Sequence, residues 1–355
     1  MIYIFLVLYS MTFAFSWIET SKSKDSIVIY IYMLMVFLLL CFFAWFKPLG
    51  LGFDDKHYYS VLVMQYQNMN YGISNPFGWE SGYIYLNYIS TLLFDDSFGA
   101  LSFLVILISM MLNIYGFRKL APIIGIPILW YLSHLFLYKE ITQLRSAIAY
   151  AILFVSFFYI YEKKFLVAFF IVLLASCFHV SAIIGLVAFF VRLVSLRFLF
   201  FVLLSSIVLS IFGVWNFLAS FLSFLLPPIV YNTYVLDTTG FAKSVGLLNP
   251  TTLKYILLCL FFYYMRKRAI FSELYDYSLK LYMLSPIWLV VFSSFGTLAG
   301  RPASIFAIME GVLLAHVVCA SSHNGLLQRF IASIFCCCLL LINLFFIRPI
   351  NLSIF

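Results

Sequence analysis

Two polar groups with chemistry to offer interrupt long apolar runs: Arg145, in Gln143-Leu144-Arg145-Ser146-Ala147, and His179, in Ala175-Ser176-Cys177-Phe178-His179. The planar fork of an arginine matches phosphate oxygens two at a time. An imidazole takes a proton from a hydroxyl, or donates to a phosphate or sugar. Each residue also has a plainer reading. An arginine at a helix end can reach lipid phosphates, and a histidine there can bond a helix-end carbonyl.

Acids beside aromatic rings form the second constellation. Gly52-Phe53-Asp54-Asp55 is followed by Tyr58 and Tyr59, and later comes Glu80-Ser81-Gly82-Tyr83. Carboxylates accept hydrogen bonds from sugar hydroxyls and can act as base, while rings cover the apolar faces of a pyranose. Asp54, Glu80 and His179 are therefore the catalytic candidates, and Tyr58, Tyr59 and Tyr83 the sugar-binding ones. The same acids would also serve to keep a loop in water. Two adjacent carboxylates without further oxygen ligands at regular spacing do not make a metal site; no metal or cofactor is expected.

Gly300-Arg301-Pro302 adds a second arginine. Proline suits the first position of a helix, so this spacing predicts a helix start with Arg301 near its positive, anion-binding end. Glu310 falls midway along the following apolar run. It reads equally as a proton-coupling acid or as a neutral acid bonded to a neighbouring helix.

The elements that position these groups are dictated by composition. The chain of 355 residues is 65% hydrophobic and 10% charged, with a mean hydropathy of +1.09. Apolar runs of about twenty residues separated by short charged knots fit helices that cross a bilayer repeatedly. A barrel would need alternating segments of about ten residues, whereas 198–209 and 335–347 are apolar almost all round. The net charge of +8 comes from basic residues scattered through short loops, which excludes a nucleic-acid-tracking patch. All seven cysteines fall within apolar runs without metal-ligand spacing. The first seventeen residues lack a basic leader and a convincing cleavage site, so they read as a first span.

Placing the basic knots at Lys22/Lys24, Arg118/Lys119, Lys163/Lys164, Arg192/Arg197, Arg266-Lys267-Arg268 and Arg329 in the cytoplasm requires two crossings between each neighbouring pair. The expectation is an all-α polytopic membrane helix bundle with about 12 transmembrane helices, forming a single integral-membrane domain over 1–355. Residues 47–97 become one long outer region and 219–251 a second. Within the first, Tyr83 to Phe94 is too short to span and is expected to be interfacial or re-entrant. Lys47, Lys56, Lys139, Arg145, Lys243, Lys254, Arg301 and Arg348 violate the inside bias and are candidates for a ligand.

Gly52-Phe53-Asp54 with Tyr58, then Glu80-Ser81-Gly82-Tyr83, Leu144-Arg145-Ser146-Ala147-Ile148-Ala149, Tyr161-Glu162-Lys163-Lys164 and Phe178-His179-Val180-Ser181-Ala182 occur in an order that resembles the EpsG-like branch of Wzy-type polysaccharide polymerases. The likeness covers roughly residues 25–190, plus Arg301. A family glutamine after the arginine is Ser146 here, and a lysine after the histidine is Val180. The resemblance implies a fold like that of multi-span lipid-linked glycosyltransferases, in the bacterial inner membrane with the active site facing the periplasm. It implies an enzyme joining undecaprenyl-diphosphate-linked oligosaccharide repeat units into O-antigen, capsule or exopolysaccharide, beside membrane lipids, a chain-length regulator and a flippase. In such a reaction Arg145, Arg301 and Lys139 would bind the diphosphate as charge builds on it, and His179, Asp54 or Glu80 would take the acceptor proton.

Three competing functions differ in what they need. A ligase-like glycosyltransferase moving finished polymer would use the same arginines. A flippase or other transporter would carry charges deep in several spans, where this chain has Glu310 nearly alone. A membrane acyltransferase would pair a histidine with a nearby acid.

Overall fold

The computed structural model describes residues 2–20, 26–75, 77–225, 231–236, 243–268, 272–320, 325–347 and 350–351. Lys22, Lys24 and Arg348 lie outside them. The described residues are helical throughout, apart from turns and one isolated bridge between Gly52 and Ile350. Five stretches are long and apolar enough to cross a membrane: Ile27–Trp45, Phe98–Leu120, Leu144–Tyr161, Gly296–Cys319 and Leu326–Ile347. Ile2–Ile18, Phe165–Ser176, Val180–Val191 and Leu196–Ile211 are shorter apolar helical segments. The protein is thus an all-α polytopic membrane helix bundle.

The chain divides into two compact units, residues 1–183 with 314–355, and residues 184–313. In the first unit the helices are α1 (Ile2–Ile18), α2 (Ile27–Trp45), α3 (Asp55–Gln67), α4 (Ser81–Phe94), α5 (Phe98–Leu120), α6 (Gly125–Trp130), α7 (Leu144–Tyr161) and α8 (Phe165–Ser176). The second unit holds α9 (Val187–Val191), α10 (Leu196–Ile211), α11 (Leu218–Leu225), α12 (Pro250–Met265), α13 (Ser272–Val291) and α14 (Gly296–Phe306). Beyond them come α15 (Met309–Cys319) and α16 (Leu326–Ile342).

Several boundaries follow from identifiable caps. Ser97 Oγ accepts the Ala100 N–H at the start of α5, and Asn249 Oδ1 accepts the Thr251 N–H with Pro250 in the first turn of α12. The carboxylate of Glu19 accepts the N–H groups of Ile124 and Gly125 at 2.6–2.9 Å and so caps α6. The guanidinium of Arg329 donates to the carbonyls of Ser16 and Glu19 at the C-terminal end of α1, satisfying acceptors that a helix terminus leaves over. Gly116 on α5 faces the Phe154 ring on α7 with no space for a Cβ, the close approach that small residues allow between membrane helices.

α6 does not continue as a regular helix. Residues Tyr131–Glu140 form a wide π turn ending just before α7. Asn343 Nδ2 donates to the Ser133 carbonyl there at 2.8 Å. α4 has 14 residues, short of the roughly twenty that a crossing needs.

In the second unit the expectation of a helix start at Pro302 is overturned. α14 begins at Gly296, and Pro302 lies inside it. Proline has no N–H for the carbonyl four residues back, which is that of Leu298. Trp288 Nε1 supplies the missing donor at 2.9 Å, so the helix runs through its proline.

Candidate active site

Glu80 is the last residue before α4, in extended conformation. Its carboxylate is shared. Arg145 Nη1 donates to Oε2 at 2.8 Å, His179 Nδ1 lies 2.9 Å from Oε1, and the Val180 N–H donates to the same oxygen at 3.0 Å. Three residues singled out from sequence, with Arg145 and His179 lying 65 and 99 positions from Glu80, thus meet in one cluster.

The backbone explains why they meet. The Gly82 N–H donates to the Cys177 carbonyl at 2.8 Å, so the first turn of α4 is seated on the turn after α8. A Cβ at Gly82 would come within 2.7 Å of that oxygen. Arg145 sits in the first turn of α7, and its Cζ lies 4.1 Å from the centre of the Trp79 ring, a cation held over an aromatic face. Below Trp79 are Tyr58 and Tyr83, with ring centres at 5.5 and 5.8 Å. The Tyr150 ring stacks on His179 at 6.4 Å, with its hydroxyl 3.4 Å from Ser181 Oγ.

Burial would by itself raise the Glu80 carboxyl. The bonds from His179 and Val180 and the charge of Arg145 outweigh it and hold the group down at about 2. A carboxylate held that low is a poor proton acceptor at neutral pH. Being ionised it can only accept hydrogen bonds, so His179 Nδ1 carries the proton between them, and in the neutral form of the ring Nε2 is the basic nitrogen. The carboxylate orients; the imidazole is the group suited to take a proton.

The other candidates are placed as follows. Lys139 is buried at the end of the π turn, bonded to Gln143 Oε1 at 2.8 Å and 4.8 Å above the Tyr150 ring. Tyr58 and Tyr83 are buried rather than presented to solvent, and burial pushes the Tyr58 hydroxyl up to about 12. Tyr59 turns away from them, its ring edge-on to Phe98 at 6.2 Å. Asp54 is half-buried just before α3, with no side-chain capping bond.

Its neighbour Asp55 is the structural one. Asp55 pairs with Lys47 at 2.8 Å, both side chains fully buried, and accepts the Gly52 N–H at 2.8 Å. Lys47 also donates to the Ile141 carbonyl at 2.5 Å. Burial pushes Asp55 up and Lys47 down, and their mutual contact opposes both shifts. Lys47, expected from its location to meet a ligand, is instead a clamp between the start of α3 and the segment leading to Arg145. Lys254 likewise pairs with Glu310 at 3.1 Å, and Tyr282 donates to the same carboxylate at 3.1 Å, the partners that sequence could not name.

Arg301 belongs to the second unit, in the middle of α14, where it donates to the Tyr234 hydroxyl at 3.1 Å. Trp79 and Tyr150 were missed by sequence reasoning. Trp79 carried a signal, being an aromatic adjacent to Glu80; Tyr150 carried none. Among the described residues no group of three or more His, Cys, Asp or Glu is placed to hold a metal ion.

In this membrane helix bundle an arginine, an imidazole and a carboxylate are thus gathered beside aromatic rings. The chain belongs to the EpsG family, whose model matches residues 30–354, and it is accordingly a membrane protein of the polysaccharide polymerase type. No curated protein and no solved structure gives a significant match.

Proposed function

We propose that the protein joins lipid-diphosphate-linked oligosaccharide repeat units into a long polysaccharide, on the periplasmic side of the bacterial inner membrane. The observation that carries this reading is the single carboxylate of Glu80 holding both Arg145 and His179. The transfer needs a cation for the leaving diphosphate and a base for the acceptor, a short distance apart.

In the proposed step, a hydroxyl oxygen of the incoming unit attacks the anomeric carbon of the growing chain. The bond from that carbon to the diphosphate oxygen breaks, and its electron pair stays with the diphosphate. His179 Nε2 takes the hydroxyl proton, Glu80 fixes the ring and its tautomer, and Arg145 stabilises the charge appearing on the diphosphate. Undecaprenyl diphosphate is the carrier, and O-antigen, capsule or exopolysaccharide the product, with a flippase supplying units and a regulator setting chain length. Lys139 and Arg301 are further cations of this reading, each to be tested by itself. Asp54 is the alternative base.

The test is the polysaccharide ladder in a polymerase-deleted strain complemented at matched membrane abundance. Arg145→Ala and His179→Ala should each leave single-unit products. Normal ladders from both would refute the assignment.

A further inference from the structure

The loop between α3 and α4 carries a feature that the reaction chemistry does not use. Phe77 is 51% exposed, yet it is not loosely hung. Its ring stacks on Trp79 with centres 5.7 Å apart and planes 30° from parallel. The Asn75 side chain brackets Trp79, donating to its carbonyl and accepting its N–H, both at 2.8 Å. Gln65 ties the preceding strand of the loop in the same way, through the Gly72 carbonyl and the Ser74 N–H. Gln67, at the end of α3, and Asn70 and Tyr71, in the same loop, are exposed.

An exposed ring stacked on a second ring, in a loop whose backbone is pinned by two side-chain amides, has the makings of a carbohydrate surface. The exposed Phe77 ring would cover the C–H side of a pyranose, and polar side chains of the loop would be available to its hydroxyls. An aromatic anchor in the membrane interface would need no bracing against a cationic site. Here Trp79 is the floor under Arg145 at 4.1 Å, so the platform begins where the diphosphate would end.

We propose that Phe77, backed by the Trp79 ring, forms a sugar-binding platform that holds the residue directly attached to the diphosphate. This rests on the polymerase reading above, and it adds a determinant of which sugar is accepted.

The probe is the repeat-unit oligosaccharide released by mild acid from the lipid-linked pool of the polymerase-deleted strain, offered at up to millimolar concentration to the purified full-length protein in detergent. Binding is followed by saturation-transfer NMR. Phe77→Leu keeps the apolar bulk and removes the ring faces; Phe77→Tyr keeps the ring. The expected result is binding weakened about tenfold in Phe77→Leu and within about twofold of wild type in Phe77→Tyr. The released sugar has no phosphate, so Arg145→Ala should still bind it while losing the ladder. Unaltered binding in Phe77→Leu, or none in the wild type, overturns the platform and makes Phe77 an interfacial anchor. If Arg145→Ala still loses its ladder, the polymerase reading survives that result. A normal ladder from both Arg145→Ala and His179→Ala overturns the polymerase reading whatever Phe77 does.

Discussion

Gly82 approaches Cys177 so closely that its N–H bonds the Cys177 carbonyl at 2.8 Å, and no side chain fits between them. That contact sets the register between Glu80 and His179. Gly82→Ala pushes a Cβ against a backbone oxygen, an overpacking that costs about 1–3 kcal/mol. It should also lower polymer output on the order of a hundredfold by misplacing the pair. Thermal unfolding in detergent and the ladder read the two effects separately; unchanged chain length would contradict the register argument.

Glu80 makes the folded protein sensitive to acid in a defined window. Its folded value of about 2 lies below its ordinary 4.5, so its stabilisation is fully present above that ordinary value and is lost as the pH falls toward 2. The contribution is on the order of 2–3 kcal/mol at neutral pH. Glu80→Gln should unfold at a lower temperature than wild type at pH 7, with the gap closing below about pH 4. An equal gap at pH 7 and pH 3 would rule out an ionised Glu80 as its source.

Arg145→Lys keeps the charge and discards the fork. An ammonium cannot both bond Glu80 and lie flat on Trp79 as the guanidinium does. Loss of a ligand to developing charge commonly costs about a hundredfold or more in rate, so the lysine variant should resemble Arg145→Ala in its ladder. Long chains from Arg145→Lys would mean that charge alone suffices.

The Lys47 and Asp55 pair should show strong coupling. Lys47→Met leaves a buried carboxylate without its cation and should cost about 3–5 kcal/mol, whereas Lys47→Met with Asp55→Leu should recover much of that loss. Membrane abundance and unfolding temperature of the single and double variants give the coupling. Additive losses would show that the two side chains act independently.

Orientation is open to a labelling test. Cys177, exposed beside His179, should react with an impermeant maleimide added outside intact spheroplasts, against a Cys177→Ser control. Glu162→Cys in that control background should react only after the membrane is opened. The reverse pattern would invert the topology.

Much of this site was readable because a bilayer penalises idle charge. Arg145, His179 and Glu80 each stood out as polar groups among apolar runs. What composition could not disclose was their joining through one carboxylate, since that depends on Gly82 seating α4 on a turn almost a hundred residues later. Lys47 shows the limit of the same argument: a charge off the expected side can be answered by a buried partner as well as by a ligand. Tyr58 and Tyr59 are neighbours in sequence, but successive helix positions differ by about 100°, and only Tyr58 reaches the Trp79 cluster. At Pro302 the local rule for helix starts was defeated by a tertiary contact, the Trp288 indole.

The π turn at Tyr131–Glu140 acts as a phase adjuster between α6 and α7. A wide turn accommodates one residue more than an α-helix would over the same rise. Wound as a regular α-helix, the same ten residues would turn farther, about 100° each, and would carry everything beyond them out of phase with α6. Lys139 would swing off Tyr150, and Glu140 would lose its 2.6 Å bond from Ser109. The spare residue is thus a spacer whose product is angle rather than length, and it aims the approach to Arg145.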